Sequence, residues 1–338
     1  MGDKIAKGSI VSVAAIAEDD INRRTLIDGS VGLWSRPSML APVAFLRYLH
    51  ELSAAREAYS DQHVFLTLVD SGGEANRSMV LGPGQSAIVG RHSKCDIKLD
   101  HENVALRHLA VHVAKPAQSI GGRALLRVWD LHTGKTLTCE DGTNVEALEA
   151  DGPVFLSLGR YHLAMIPLGQ LPARMPLATK DAWASLPKRE FIASLAQGTG
   201  TALLPERRFD SGTSSVTHMP SSIGLHALER SQVDPIDIVA TLVVQGRDKR
   251  REFSIGAQHL ERGLLIGRYH RCVGSGLDAT VSRVHLMIAT IGGETVAIDT
   301  ASTVGTRLGN EKFATTRLSG PKKIWLSKHS YLVWRPVS

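Results

Sequence analysis

An arginine follows a short apolar run twice in this chain. Residues 90–95 read GRHSKC, and residues 267–272 read GRYHRC directly after Leu264–Ile266. An arginine at the end of an apolar strand carries its guanidinium at the rim of a sheet. There it can make charge-assisted hydrogen bonds to an anion, each worth about 1.5–3 kcal/mol. Downstream of the second copy stand Ser282, a small hydroxyl donor, and Arg283, a second cation, followed by His285. This set of side chains holds an anion; it does not break a bond. No G-x-S-x-G, HExxH or kinase catalytic-loop pattern occurs, and TGKT (133–136) fails as a phosphate-cradling loop because Trp129 stands where that pattern needs glycine. The expectation is a binding protein and not an enzyme, with no cofactor and no metal.

The arginines belong to a longer repeat. With Arg91 set against Arg268, Cys95 falls on Cys272, Val104 on Val281, His108 on His285 and Leu109 on Leu286, without a gap. Further on, FLSLGRYHL (155–163) resembles WLSKHSYLV (325–333) at a shorter offset, as shorter loops in the second copy require. GRYH at 159–162 is a turn before a last strand, not a third copy of the motif. The period is too long for a solenoid.

Each copy reads as short strands punctuated by Gly, Pro, Asn and Asp. In the first these are 63–70, 78–82, 86–91, 106–114, 124–131, 153–159 and 161–168. In the second they are 238–246, 251–256, 263–268, 284–290, 294–300, 323–327 and 330–336. That spacing predicts a β-sandwich in each copy. The fold class is therefore mainly β, with a helical N-terminal region and a partly helical linker. The expected division is 1–61, 62–169, 170–235 and 236–338. Residues 38–60 predict an amphipathic helix with Val43, Leu46, Leu49 and Leu52 on one face. Residues 180–198 predict a helix broken at Pro187. Residues 209–224 are Ser/Thr/Gly/Pro-rich and predict a tether, in which Thr213 and Thr217 are candidate phosphorylation sites.

Composition narrows the setting. The formal charge is +6, which suits an acidic or phosphorylated partner but also an ordinary solvated surface. The one dense basic block, RDKRRE (247–252), reads as a hairpin turn and not as a nucleic-acid patch. Cys95, Cys139 and Cys272 are odd in number and lack a CxxC pair, so they predict neither a disulfide framework nor a zinc site. Cys95 and Cys272 read as small core residues, and the expected compartment is the reducing cytoplasm. The start, MGDKIAKGSIVSVAAIAEDD, resembles a secretory signal only weakly, and no apolar run is long enough to span a membrane.

Gly267-Arg268, VSRVH (281–285) and DTASTVGT (299–306) together resemble the forkhead-associated (FHA) domain family, whose signature is Gly-Arg, Ser-Arg-x-His and Asn-Gly-Thr. The resemblance implies a β-sandwich whose loops at one end bind phosphothreonine peptides. It implies that Arg268 and Ser282 hold the phosphate, with Arg283 as a second cation and Thr303 in the loop that contacts the peptide backbone. It implies a structural part for His285 and tight turns at Gly267 and Gly305. The family's Asn is Val304 here, which should weaken the grip on the peptide main chain. The first copy departs further. Gly90-Arg91 and His108 remain, but Ala105 and Leu106 replace Ser-Arg, and Lys135 replaces Asn. Ser93, Arg107 and Lys135 are its substitute candidates, and Arg91 is either an anion contact or half of a surface ion pair.

These expectations make the chain a tandem adaptor. It would bind a phosphothreonine-containing protein, a Ser/Thr kinase or its substrate, through the second copy. The rival reading is a phosphate-independent scaffold subunit that self-associates or joins a larger assembly. Neither involves nucleic acid or membrane.

Overall fold

The computed structural model describes residues 41–70, 77–102, 104–115, 123–131, 137–176, 179–193, 212–231 and 233–337. Lys135 and the TGKT segment lie outside the described residues.

Most strands are too apolar to face water on either side, so the sheets stack. The first sheet has the order β2 (Arg77–Leu81), β1 (Val64–Asp70), β11 (Tyr161–Pro167), β10 (Val154–Leu158), β7 (Leu137–Cys139) and β8 (Asn144–Val145). The second runs β12 (Lys188–Ile192), β13 (Thr213–Met219), β9 (Ala147–Ala150), β6 (Leu126–Asp130), β5 (Leu109–Val113), β3 (Ser86–Gly90) and β4 (Ile97–Lys98). The third is β15 (Arg250–Gly256), β14 (Ile238–Gln245), β23 (Tyr331–Pro336), β22 (Lys322–Trp325), β19 (Thr306–Leu308) and β20 (Glu311–Phe313). The fourth is β16 (Leu264–Ile266), β17 (Leu286–Ile291), β18 (Glu294–Asp299) and β21 (Thr315–Arg317). The basic block 247–252 closes the β14–β15 hairpin, with the Gly246 amide donating to the Lys249 carbonyl at 2.8 Å.

The period-2 alternation of side chains assigns each residue to a layer. Leu66, Val111, Val128 and Leu163 fill the core between the first and second sheets. Leu242, Leu264, Ile288 and Leu332 fill the core between the third and fourth. The alternate residues do not reach solvent. On β5 and β6, Ala110 and Trp129 turn the other way and meet Leu265, Met287 and Ile298 of the fourth sheet. The two sandwiches are thus joined by a third apolar core. Polar contacts accompany it: the Arg127 guanidinium donates to the Glu261 carbonyl, and the Thr315 hydroxyl donates to the Ser86 hydroxyl at 2.9 Å.

Helix α1 (Ala41–Ala58) covers the outer face of the first sheet together with α2 (Thr179–Ala184). Its buried stripe is Phe45, Tyr48, Leu52 and Ala55, while Leu46 is exposed. The expected leucine face is therefore rotated. Aromatic packing sets the phase: Phe45 stacks edge-on against Tyr48 and Trp183, at 5.6 and 5.4 Å between ring centroids. Among the described residues no helix is long and apolar enough to cross a membrane.

The region read as a linker needs correcting. Among the described residues of the expected helix, only those up to Ala184 are helical. After Pro187 the chain becomes β12, which pairs in parallel with β13. The tether residues 213–219 are β13 itself, inserted between β12 and β9. Ser214, Ser215 and Thr217 are buried. The Asp151 carboxylate accepts from the Ser215 amide and hydroxyl at 2.6 and 3.1 Å, so this polar strand keeps its hydrogen bonds inside the protein. Thr217 is a ladder residue, not a free phosphorylation site. Composition alone reads Ser/Thr runs as loops, but Thr is also at home in strands when neighbouring edges are available.

Candidate functional site

The loops that carry the expected site residues are held together by backbone pairing. Strand β16 is followed at once by Gly267, where an added Cβ would sit 2.1 Å from the Arg283 carbonyl oxygen. Gly267 is thus needed for close approach of two chain segments and not for a turn, which corrects the reading above. Beyond it the Arg268 amide donates to the Ser282 carbonyl and the Tyr269 amide to the Arg283 carbonyl, both at 3.1 Å. His285 ties the third segment: its amide donates to the Ile266 carbonyl, and its carbonyl accepts from Thr300. Its Nδ1 accepts from the Ser282 amide at 3.1 Å. Accepting there requires the neutral imidazole with the proton on Nε2.

Asp278 anchors the loop that leads to Ser282. It accepts from the Thr280 amide at 3.0 Å and from Ser327 at 2.8 Å, and also from the Thr280 and Ser330 hydroxyls. Burial pushes its carboxyl up, but the bonds from Ser330, Thr280 and Ser327 pull it well below the usual range.

Asp299 organises the next loop. Its carboxylate accepts from the Ser302 amide at 2.7 Å, the Ser302 hydroxyl at 2.6 Å and the Thr306 hydroxyl at 2.5 Å. The Gly305 amide donates back to the Ser302 hydroxyl at 3.0 Å. The tight loop needs left-handed backbone at Ala301 (φ 58°) and at Gly305 (φ 83°), and it costs about 1 kcal/mol at the alanine. This folding turns the Thr303 amide onto the Ser282 hydroxyl at 2.9 Å, and that hydroxyl in turn faces Thr303 Oγ1 at 3.3 Å.

Ser282 is 6% exposed, whereas Arg268, Arg283 and Thr303 are exposed. Neither Arg268 nor Arg283 has a carboxylate partner among the described residues. The arrangement places a shielded hydroxyl beneath exposed guanidinium-bearing loops, with His285 and Asp299 behind as supports. An open cleft continues past Val304 and is lined by Thr280, Arg307, Asn310, Trp325 and Lys328.

The first sandwich repeats the same frame. The Arg91 and His92 amides donate to Ala105 and Leu106 carbonyls at 2.9 Å, and the Ala105 amide donates to His108 Nδ1 at 3.1 Å. The His108 amide donates to Val89 and its carbonyl accepts from Leu131. Chemically the frame is empty: a methyl group at Ala105 replaces the hydroxyl, and Leu106 is 40% exposed. Arg91 and Ser93 are exposed at the same rim, and Arg91 forms no ion pair among the described residues.

Arg107 does not serve its own sandwich. Its Nε and Nη2 donate to the Ala301 carbonyl at 3.0 and 2.7 Å, and Nη2 approaches the Ser282 hydroxyl at 3.4 Å. Lys94 also crosses over and donates to the Thr303 carbonyl. The sequence alone places Arg107 with the first sandwich and carries no signal for Lys94. A contact between residues so far apart in the chain leaves no local signature.

The three thiols are free and buried. Burial pushes Cys95 up to about 11 and Cys139 and Cys272 up to about 12. Cys139, Asp141 and His218 lie within 4.8 Å of one another, a grouping invisible in the sequence. Asp141 already accepts from the Thr143 amide and hydroxyl.

Buried histidines make stability depend on pH. Burial pushes His112, His162 and His285 down to about 4; for His285, Asp299 opposes the shift and Arg107 adds to it. The unfolded chain takes up these protons near pH 6.5, which the folded chain refuses until about pH 4. The contribution of these histidines to stability is therefore complete above about pH 6.5 and is lost as pH drops towards 4, by up to about 1.4 kcal/mol per pH unit for each. Denaturant titrations at pH 7.5, 6 and 5 should show a steadily falling midpoint; a flat profile would contradict the burial of these rings.

No family model matches the chain, and no curated protein matches it. Among solved structures the chain is similar to FHA domains. One is FHA-1 of Mycobacterium tuberculosis Rv1747, at 22% identity, covering 30% of this chain and 99% of that one, with a TM-score of 0.25. Another is the FHA domain of the Chlamydia trachomatis CT664 protein, at 17% identity, covering 31% of this chain and 96% of that one, with a TM-score of 0.25. A third is Mycobacterium tuberculosis EmbR in complex with a low-affinity phosphopeptide, at 22% identity, covering 28% of this chain and 24% of that one, with a TM-score of 0.23.

Proposed function

We propose that this chain is a non-enzymatic adaptor that binds phosphothreonine peptides at the loop end of its second sandwich. Residues 62–169 and 236–338 are then tandem FHA-like modules, with the first module widened by strands from the segment between them. The observation that carries the reading is the Ser282 hydroxyl, pinned by the Thr303 amide beneath loops whose Arg268 and Arg283 have no carboxylate partner among the described residues. A phosphate ester brings nearly two negative charges and three acceptor oxygens, which match two guanidinium groups and a hydroxyl. The partner would be a Ser/Thr kinase or one of its substrates.

Val304 stands where a main-chain-binding Asn would be expected. The peptide is then held mainly by its phosphate, and dissociation constants fall in the micromolar range, roughly −8 kcal/mol. Calorimetric titration with matched phosphorylated and unphosphorylated threonine peptides tests this. Binding of the phosphorylated form alone supports the reading, and equal affinity for both ends it.

The first module favours a second use. Ala105 removes its hydroxyl and Leu106 is 40% exposed at the rim, which suits a phosphate-independent contact in a larger assembly. Association that persists after phosphatase treatment and in an Arg268 variant would assign the chain to that role.

A further inference from the structure

We infer that the phosphate site is bipartite, with Arg107 of the first sandwich completing the pocket built by Arg268, Ser282 and Arg283 of the second. The inference rests on the phosphothreonine reading and extends it across the interface between sandwiches.

A serine hydroxyl offers two acceptor sites and one proton. One acceptor site faces the Thr303 amide at 2.9 Å and the other faces Arg107 Nη2 at 3.4 Å. The proton can then only be donated. In the free protein it points at Thr303 Oγ1, at a long 3.3 Å. A phosphate oxygen would accept it at about 2.5–2.7 Å. Arg107 thus commits Ser282 to the role of donor, which is the role a fully ionised phosphate needs.

Arg107 is also held in place. Its Nε and Nη2 fork onto the Ala301 carbonyl, and among the described residues no protein group accepts from Nη1. Two N–H groups therefore remain for a ligand beside the Ser282 hydroxyl. Lys94 grips the same loop two residues further on, at the Thr303 carbonyl. The loop that carries Thr303 is consequently fastened at both ends of 301–303 by cations from the other sandwich. The apolar core through Trp129, Met287 and Ile298 keeps the two sandwiches in register, so Arg107 meets Ser282 without an ordering cost at binding. The nearby carboxylate of Asp299 already accepts three hydrogen bonds from Ser302 and Thr306, and the Arg107 fork goes to the Ala301 carbonyl instead.

This arrangement gives the first sandwich a function despite its own empty frame. It supplies charge and orientation to its neighbour's pocket. An obstructing role would require Arg107 to compete with the ligand, but a guanidinium attracts a phosphate.

The test uses the full chain and a phosphothreonine peptide in calorimetry, with Arg107→Ala, Arg107→Lys, Lys94→Ala and Arg268→Ala. Arg107→Ala should weaken binding at least tenfold and flatten its dependence on salt concentration, with an unchanged affinity for the unphosphorylated peptide. Arg107→Lys, which keeps the charge and loses the fork, should fall between Arg107→Ala and the unmodified protein. If Arg107→Ala binds as tightly as the unmodified protein, or more tightly, while Arg268→Ala fails to bind, the bipartite site is wrong and the single-sandwich site stands. If Arg107→Ala does not fold, full affinity in both Arg107→Lys and Lys94→Ala overturns the inference. An unmodified protein that ignores the phosphate removes the underlying reading and the inference with it.

Discussion

Arg268→Ala should reduce affinity for a phosphothreonine peptide at least a hundredfold, to the level of the unphosphorylated peptide, while Arg91→Ala changes it less than threefold. A guanidinium facing a phosphate makes two parallel charge-assisted bonds, each worth about 1.5–3 kcal/mol, and a hundredfold loss is about 2.7 kcal/mol. The variant should not harm the fold. Arg268 is exposed, and its structural contribution is a main-chain amide bonded to the Ser282 carbonyl, which alanine keeps. Arg91 holds the equivalent main-chain bond to Ala105, but beside a methyl group and not a hydroxyl. Calorimetry on both variants, with thermal melts as the control for folding, separates the two arginines. A loss below threefold for Arg268→Ala would place the phosphate elsewhere.

Trp129→Ala should cost about 3–5 kcal/mol of stability, the usual range for removing a buried tryptophan. Trp129 is completely buried at the interface between the sandwiches. Its Nε1 lies 3.3 Å from the position a Cβ would take on Gly263, and the Arg127 guanidinium sits 5.5 Å from its ring. Gly263 cannot grow into the cavity without strain at its φ of 89°, and Arg127 is tied to Glu149 at 3.1 Å and to the Glu261 carbonyl. Neither neighbour can relax to fill the space, so the cavity penalty stays high. Chemical denaturation measures the loss, and the same variant should bind phosphopeptide more weakly because Arg107 and Lys94 lose their registration. A stability change under 1 kcal/mol would mean that the sandwiches do not lean on each other here.

Much of this protein was open to reading in one dimension. The long strands were visible because Leu, Val and Ile recur at period 2 or run without a break, and burial on one or both faces demands such patterns. The site loops were visible because Gly267-Arg268 and Ser282-Arg283-x-His285 are short local signatures. Their geometry is set by backbone bonds between segments that β16 and β17 hold side by side. The same logic revealed the duplicate frame around Arg91 and His108.

What stayed hidden depends on partners far along the chain. The polar strand β13 exists because β9 and β12 offer it two edges and Asp151 absorbs its polar groups. The buried stripe of α1 follows Phe45 and Tyr48 because Trp183 and the first sheet provide a fitting surface. The sequence by itself determined two β frames, one carrying Arg268, Ser282 and Arg283 at its loop end and one with Ala105 and Leu106 in place of the Ser-Arg pair. Only the tertiary structure decided that the outer faces of the second and fourth sheets bury each other, and this carries Arg107 and Lys94 to the neighbouring loop. Periodicity reports that a face is buried; it holds no information about which other face covers it.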